Sequence, residues 1–417
     1  PKATWAYQAP DEYRLDQLFL RLSDQLGVPS RRVDTEHFLC EREEVKDFFV
    51  GKKQYLLESF YRHLRKQTGL LMEGSKPTGG KWNFDAENRQ KYDGQVPFPP
   101  RVKLANQVGE LLEMVWNAGV KTIGLIQNNQ LEWPIDRPQS LKSLEHFCKY
   151  GLPHFGSYQD AMTEEDPFLF HSRLSFALNA KILHPREVLD RVVQEWEDRP
   201  DQISLAQVEG FVRQILGWRE YIRGIYWAEM PAYSESNALG HKLPLPSWFW
   251  SAKTRMRCLS HSIGQSLEHA YAHHIQRLMV TGNFALLAGI APDVVDRWYL
   301  GIYIDAIEWV ELPNTRGMSQ FADGGLLATK PYVSSANYLR KMGHYCEQCP
   351  YDAKSRRGML ACPFNSLYWD FHDRNREKLI RNPRIGMVYR TWDKMDSAEQ
   401  VAIRNRASWL KEHLEEL

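Results

Sequence analysis

Four cysteines carry the strongest chemical signal in the chain. Cys346 and Cys349 form a CxxC pair, Cys362 follows thirteen residues later and precedes Pro363, and Cys258 stands alone upstream. A CxxC turn presents two sulfurs on one side, and two further cysteines complete a tetrad for an iron–sulfur cluster or Zn²⁺. The closing Cys-Pro also occurs in bacterial cluster-binding runs, which leans the reading toward iron. A disulfide or buried free thiols are the bland alternatives. Cys40 and Cys148 lack such company and read as small buried hydrophobes.

Three other segments place polar groups at useful spacing. In SLEHAYAHHIQRLMVTGNF, a helix would put His269 and His273 on one face, with His274 beside them and Arg277 one turn beyond His273. Such imidazoles suit proton transfer near neutral pH; His269 with His273 could also ligate a metal, or all could be surface histidines. In HSRLSFALNAKILHPREV, Ser172 and Ser175 flank Arg173 before a helical stretch, which suits phosphate capture but also an ordinary helix cap. RQILGWREYIRGIYW interleaves Gln214, Trp218, Arg219, Glu220 and Arg223, as at a flat ligand, a nucleic-acid backbone, or a plain solvated face. Further on, Asp305 is a candidate partner for Arg277. Glu311 precedes a Pro-Asn turn, and Tyr332 and Tyr338 flank a loop able to present phenols.

These groups must be positioned by the rest of the chain. Its 417 residues suffice for two or three domains, and 43% hydrophobic content supports a large core. No apolar run approaches the roughly 20 residues of a membrane span. Nothing at the N-terminus resembles a signal peptide, so the expected compartment is a reducing cytoplasm, which favours a metal over a disulfide. A net charge of +1 excludes a globally basic nucleic-acid coat while leaving room for a local basic face. Fourteen Trp and nineteen Tyr suggest stacking surfaces, a planar cofactor or electron hopping beyond plain packing.

The N-terminal pattern predicts a strand over Thr4–Gln8, an amphipathic helix over Asp11–Gln25, a strand over Arg32–Cys40 and helical periodicity over Glu43–Gln67. Too few strands are visible to close a sheet, so the chain is expected to begin inside an α/β domain. Gly, Pro and Asn crowd Gly69–Arg101, which predicts an extended linker. From about Pro138 amphipathic helices dominate: Gln139–Tyr150, Pro185–Glu197, Ser204–Ile225, Ser262–Thr281, Pro292–Tyr303 and Asn365–Leu379.

The segments HSRLSFALNAKILHPREV, FVRQILGWREYIRGIYW, AHHIQRLMVTGNF and YIDAIEWVE resemble, in this order, the FAD-binding domain of the photolyase/cryptochrome superfamily. With the cysteine tetrad, the chain resembles the iron–sulfur branch of bacterial (6-4) photolyases and cryptochrome-like proteins. The resemblance runs from about Trp5 to the end. It implies a partial N-terminal α/β domain of antenna type (1–66), an interdomain linker (67–137), and a large all-α catalytic domain binding FAD and a [4Fe–4S] cluster (138–417).

By resemblance, Cys258, Cys346, Cys349 and Cys362 ligate the cluster. Ser172, Arg173 and Ser175 wrap the cofactor's phosphate region, with Arg219 in the same cofactor set. Arg277 and Asp305 form an ion pair beside the isoalloxazine, and Glu311 falls near flavin N5, where most photolyases carry Asn. His273 and His274 match the proton-transfer histidines of (6-4) enzymes; pyrimidine-dimer photolyases carry Asn at the second position. Gln214, Tyr332 and Tyr338 match lesion-facing positions, and Trp250, Trp298 and Tyr299 match the chain that reduces the flavin from the surface. Lys253, Arg255 and Arg257 would hold the DNA backbone at the pocket mouth.

The activity so implied is light-driven repair of (6-4) photoproducts in UV-damaged DNA by a monomer without membrane attachment. The branch also carries a 6,7-dimethyl-8-ribityllumazine antenna. One rival is a cryptochrome-like blue-light photoreceptor with the same cofactors and no repair. A zinc-stapled DNA-binding protein is another, and it would be colourless.

Overall fold

Strand Trp5–Gln8 pairs in parallel with Ser30–Val33, Trp5 opposite Ser30 and Gln8 opposite Val33. Helix Tyr13–Leu26 crosses between them and ends at Gly27, whose φ of 58° supplies the left-handed cap that residues with a Cβ resist. Tyr7 stacks on Phe19 of that helix at 5.0 Å. One βαβ unit therefore stands where the sequence predicts it. The computed structural model describes residues 4–104, 106–124 and 126–417. Pro1–Ala3 of the expected first domain, and Ala105 and Leu125 of the expected linker, lie outside the described residues.

Two N-terminal expectations need correction. The second strand stops at Val33 and does not run to Cys40, because the Asp34 carboxylate accepts the N–H groups of Thr35 (2.7 Å) and Arg42 (3.1 Å) and turns the backbone. The helical stretch 43–67 is two helices, Glu44–Phe48 and Leu57–Thr68, parted by a loop in which Gly51 takes a φ of 74°.

This unit is locked to the helical body by buried charges. Glu220 is fully buried, accepts the N–H groups of Leu39 (2.7 Å) and Cys40 (3.1 Å), and pairs with Arg219 at 3.0 Å. Arg223 pairs with Asp34 at 2.7 Å. Gly224 lies so close to Val45 that a Cβ would overlap its side chain, so only glycine allows these helices to approach.

Residues 69–101 run extended around the body, as their turn formers dictate, with one hairpin pairing Met72–Glu73 with Lys76–Pro77. Asn88 donates to the Ala206 carbonyl (3.0 Å), and the Phe84 N–H reaches Glu209 (3.1 Å), so this strap is fastened. Helix Gly109–Asn117 was not expected within the linker; Leu111, Met114 and Trp116 along it face solvent.

The C-terminal body is helical throughout. Proline opens helices Pro185–Asp198, Pro292–Ile302 and Pro363–Arg374, where a missing N–H costs nothing. Leu205–Val212 runs through a π-helical turn, Arg213–Arg219, into Glu220–Glu229. The expected helix Ser262–Thr281 is broken. Helix Arg257–His269 stops at Ala270, which takes a φ of 49°, and a new helix begins at His274. His269 and His273 therefore share no face.

Further π-helical turns occupy Phe147–Gly151, Arg277–Gly282 and Pro313–Ser319. Such one-residue expansions concentrate at functional sites, and two of these begin at or next to candidate site residues. No described helix is long and apolar enough to cross a membrane.

Candidate active site

The turn Ala270–His273 brings His273 and His274 to His171 of the HSRLS segment. His273 is 1% exposed and stacks on His171, ring centroids 4.6 Å apart and planes 10° from parallel. His274 is exposed. Burial pushes the His171 imidazole down to about 4, with His274 adding to the shift. Burial, His171, His274 and Arg277 hold His273 well below its usual range. His274 is also held down to about 4, by burial and then by Arg277. The exposed His274 ring, on a turn whose His273 is buried, is placed where a side chain can meet a ligand. His269 lies apart, beside Phe168 and 3.7 Å from Glu132, so the metal pair with His273 does not form.

Directly behind this turn, Arg277 forms a two-pronged pair with Asp305 at 2.9 and 3.1 Å. Its Nε donates to the Ala272 carbonyl at 2.7 Å, tying the guanidinium to the histidine turn. Ser175 donates to the Asp305 carboxylate, and Asn179 to its carbonyl, both at 2.7 Å. The HSRLS segment is thereby fastened to the same carboxylate. Glu311 accepts from Thr315, and burial raises its carboxyl to about 7 against the opposing pull of Thr315 and Arg277.

A carboxyl raised in this way binds its proton more tightly folded than unfolded. Its contribution to stability is whole below the unfolded value of 4.5 and is lost as pH climbs through about 7. Glu311→Gln should match the parent below pH 4.5 and exceed it by about 3 kcal/mol at pH 8. Denaturation midpoints at the two pH values read the difference.

Tyr332 and Tyr338 are half-buried on a rim that the sequence left incomplete. Burial raises both phenols; the Arg89 guanidinium opposes the shift in each, Arg384 also acts on Tyr332, and Asp160 adds to the rise at Tyr338. Arg89 pairs with Asp85 (3.0 Å) and Asp160 (3.6 Å), and Asp85 also pairs with Arg213, next to Gln214. Asp85 and Arg89 come from the linker, where only the turn-forming composition was legible. Gln214 itself donates to the Gly210 carbonyl at 3.0 Å.

The remaining expected cations lie among other protein groups. Arg219 lies over the Phe38 ring at 4.0 Å and pairs with Glu220, at the junction with the N-terminal unit. Arg257 is bound to Glu164 and is not free for phosphate. Lys253 and Arg255 are exposed, but their segment sits by the C-terminal residue, with the Arg255 N–H on the Leu417 carbonyl at 2.8 Å. Arg173 lies over Phe168 (3.7 Å) and Trp133 (4.5 Å) in a left-handed conformation, φ 56°.

Aromatic rings lead from Phe249, whose chain neighbour Trp250 is exposed, to Arg277. Trp250 is 49% exposed, and its neighbour Phe249 meets Trp298 edge-on at 5.3 Å. Trp298 lies 5.4 Å from Tyr299 and 5.7 Å from Tyr303, and Arg277 sits 3.8 Å over the Tyr303 ring. The Tyr299 hydroxyl donates to the Arg277 carbonyl at 2.7 Å. Tyr303 was missed in the sequence, though it follows Tyr299 at one helical turn.

The four cysteines line one cavity with Met256, Leu339, Tyr345, Tyr351 and Ala353. Cys258 sits in the first turn of its helix, and Cys362 caps helix Pro363–Arg374, so two helix N-termini approach the cavity. Burial and the neighbouring thiols push Cys258 and Cys346 up, Cys346 to about 11; Cys362 rises to about 12, chiefly by burial. Together such thiols become thiolates only with a cationic centre among them, and the helix ends favour the negative charge that results. The donor set fits a thiolate-bound metal. Among the described residues, no three His, Cys, Asp or Glu side chains are spaced to hold a single ion.

Over 401 residues the chain is 44% identical to the (6-4) photolyase of Agrobacterium fabrum (strain C58), an alignment spanning 96% of this chain and 78% of that protein. The chain belongs to the (6-4) photolyase family. A family model described as deoxyribodipyrimidine photo-lyase-related protein matches residues 2–131. Uncharacterized protein R855 of Acanthamoeba polyphaga mimivirus is 30% identical over 123 residues, 30% of this chain and 91% of that one.

Two solved structures share the fold. A bacterial class III photolyase from Agrobacterium tumefaciens superposes with a TM-score of 0.54 at 15% identity, covering 94% of this chain and 80% of that one. The Synechocystis sp. PCC6803 cryptochrome gives 0.56 at 12% identity, covering 97% and 78%. This photolyase membership implies FAD, and the residues present fit it. Arg173 Nε, His171 Nε2 and both ring nitrogens of His273 are buried without a hydrogen-bond partner, as groups awaiting a polar ligand would be. His171, Ser172 and Arg173 border an open pocket whose other walls include Arg101, Trp133 and His146.

Proposed function

We propose that this protein repairs (6-4) pyrimidine photoproducts in DNA under blue light. The observation that carries the reading is the exposed His274 beside buried His273, on a turn tied by Arg277 to the Asp305–Ser175 cluster. Reduced FAD, when bound, supplies the light-driven electron. Asp305 and Arg277 hold the inner wall of its site, Ser172, Arg173 and Ser175 the phosphate end, and Glu311 a carboxyl that keeps its proton near neutral pH. Protonated His274 donates its proton to the lesion, which lets the transferred group go back to its base, and takes the proton back at the end. His171 and His273 keep that ring in place from behind. Tyr332, Tyr338 and Gln214 line the mouth for a flipped-out lesion, with Arg89 and Arg384 as nearby positive charge for its backbone. Trp250, Trp298 and Tyr299, joined by Tyr303, carry electrons inward from the surface.

The four cysteines are assigned a [4Fe–4S] cluster that staples the segment at Cys258 to the one at Cys346–Cys362. Freshly purified protein should be yellow-brown and contain iron and sulfide in equal amounts. Zinc in their place would return the tetrad to a structural zinc site. A ribityl-lumazine antenna belongs to the N-terminal α/β unit on this reading, and fluorescence excitation spectra test for it.

Illumination with (6-4)-containing DNA, scored for restored pyrimidines, tests the activity. Bound FAD that responds to light without restoring bases would make the chain a photoreceptor.

A further inference from the structure

Tyr345 stands between the four-cysteine cavity and the histidine turn. It precedes Cys346, its ring lines the cavity, and it is completely buried. Its hydroxyl accepts from Gln276 Nε2 at 3.1 Å. Gln276 and Gln265, both buried, exchange amide hydrogen bonds at 2.9 and 3.0 Å. Gln265 also donates to the carbonyls of Pro167 (3.0 Å) and Tyr271 (3.4 Å), and the Gln276 N–H closes on the His273 carbonyl at 3.0 Å.

The turn gripped by this chain does not hold itself. Ala270 is in the left-handed region at φ 49°, where a residue with a Cβ persists only if its surroundings compel it. The compulsion is shared: the Ile304 N–H donates to the Ala270 carbonyl at 3.0 Å, Arg277 Nε grips the Ala272 carbonyl, and the amide pair, fixed from outside by the Tyr345 hydroxyl, holds the Tyr271 carbonyl. A buried polar network of this kind is rigid when every member is satisfied and loosens when one is removed.

We propose that Tyr345 is a positioning residue that, through Gln276 and Gln265, makes the placement of His273 and His274 depend on whether the four-cysteine site is filled. The inference rests on the metal-centre and repair readings above. Filling the cavity fixes the Tyr345–Gln348 turn from below; emptying it frees Cys346 and lets the adjoining tyrosine withdraw its hydroxyl from Gln276. The centre then serves repair without exchanging electrons with the lesion site.

Hydrogen–deuterium exchange of the holoprotein reads the coupling directly. Tyr345→Phe removes only the hydroxyl, and with metal and FAD content unchanged it should raise exchange across 270–277 by roughly two- to tenfold, the weight of one hydrogen bond. Stripping the metal from the parent should raise exchange in the same segment, while helix Pro185–Asp198 stays protected. Stripping it from Tyr345→Phe should add little.

Unchanged exchange at 270–277 in Tyr345→Phe overturns the proposal. So does metal loss, verified by analysis, that leaves this segment as protected as before. Should metal loss open the whole fold, the metal-replete Tyr345→Phe and Gln276→Leu proteins decide by the same criterion. Protein that never holds metal sinks the metal-centre reading and the proposal with it, whereas metal-replete protein with an indifferent turn sinks the proposal alone.

Discussion

Replacing His274 with alanine is expected to lower repair of (6-4) DNA by about 10²–10⁴-fold, the usual worth of a positioned general acid. Lesion binding should change by less than about threefold, under 1 kcal/mol. The asymmetry follows from where the three histidines sit. His171, half-buried, stacks on buried His273, and their depressed proton affinities leave both uncharged near neutral pH. Two imidazolium rings 4.6 Å apart would repel without water to screen them. Of the three, only His274 is exposed.

In the free protein His274 is held down to about 4, so it meets DNA neutral at pH 7. The lesion's phosphates act against the Arg277 charge and favour proton uptake as the complex forms. Repair by the parent should therefore be faster at pH 5 than at pH 8, because the charged fraction of an imidazole grows as pH falls toward its pKa. That difference should vanish in His274→Ala. Turnover retained within threefold would remove His274 from the role. His273→Ala is the contrast: it empties a buried position under His171, so FAD content and stability should fall along with activity.

Much of the site was legible because its residue types are informative where they stand. The cysteine spacing led to a tetrad, and four sulfurs do line one cavity. The Arg277–Asp305 pair was readable as opposite charges, one in the histidine segment and one just past the end of helix Pro292–Ile302. Proline at 185 and 292 marked helix starts that the structure keeps, whereas the helix expected from Asn365 begins two residues earlier, at Pro363. What stayed hidden depended on distant partners. No glycine or proline punctuates Ala270, so helical periodicity ran straight through a break that distant partners hold, among them the Ile304 N–H on the Ala270 carbonyl and Gln265 on the Tyr271 carbonyl. Arg219 read as a ligand contact because its local pattern mixes Arg with Trp; its partner is Phe38, from a remote loop. His171 sits at the head of a segment that reads as a phosphate loop, and nothing local announces that it will stack on His273. Arg257 lost its expected role to Glu164 for the same reason.

Asp305→Ala should be the most destabilising single change at the site. The carboxylate accepts both prongs of Arg277 and the Ser175 hydroxyl, and the two charged side chains are 9% and 16% exposed. Removing it strands a guanidinium between the Tyr303 ring and the protein interior, and breaking a buried pair from one side costs about 3–5 kcal/mol. The loss should appear as a lower denaturation midpoint and as protein that purifies with less FAD, since Arg277 also grips the Ala272 carbonyl and shapes the cofactor wall. Asp293→Ala is the matched control. Asp293 pairs with Arg297 at 3.0 Å one helical turn away, but both are more than half exposed, and such pairs are worth under about 1 kcal/mol. Ser175→Ala falls between the two, at about 1 kcal/mol for one hydrogen bond to a charged group that keeps its main partner. If Asp305→Ala proved no more costly than Asp293→Ala, the pair would be a surface contact and not the wall on which the flavin and the histidine turn both lean.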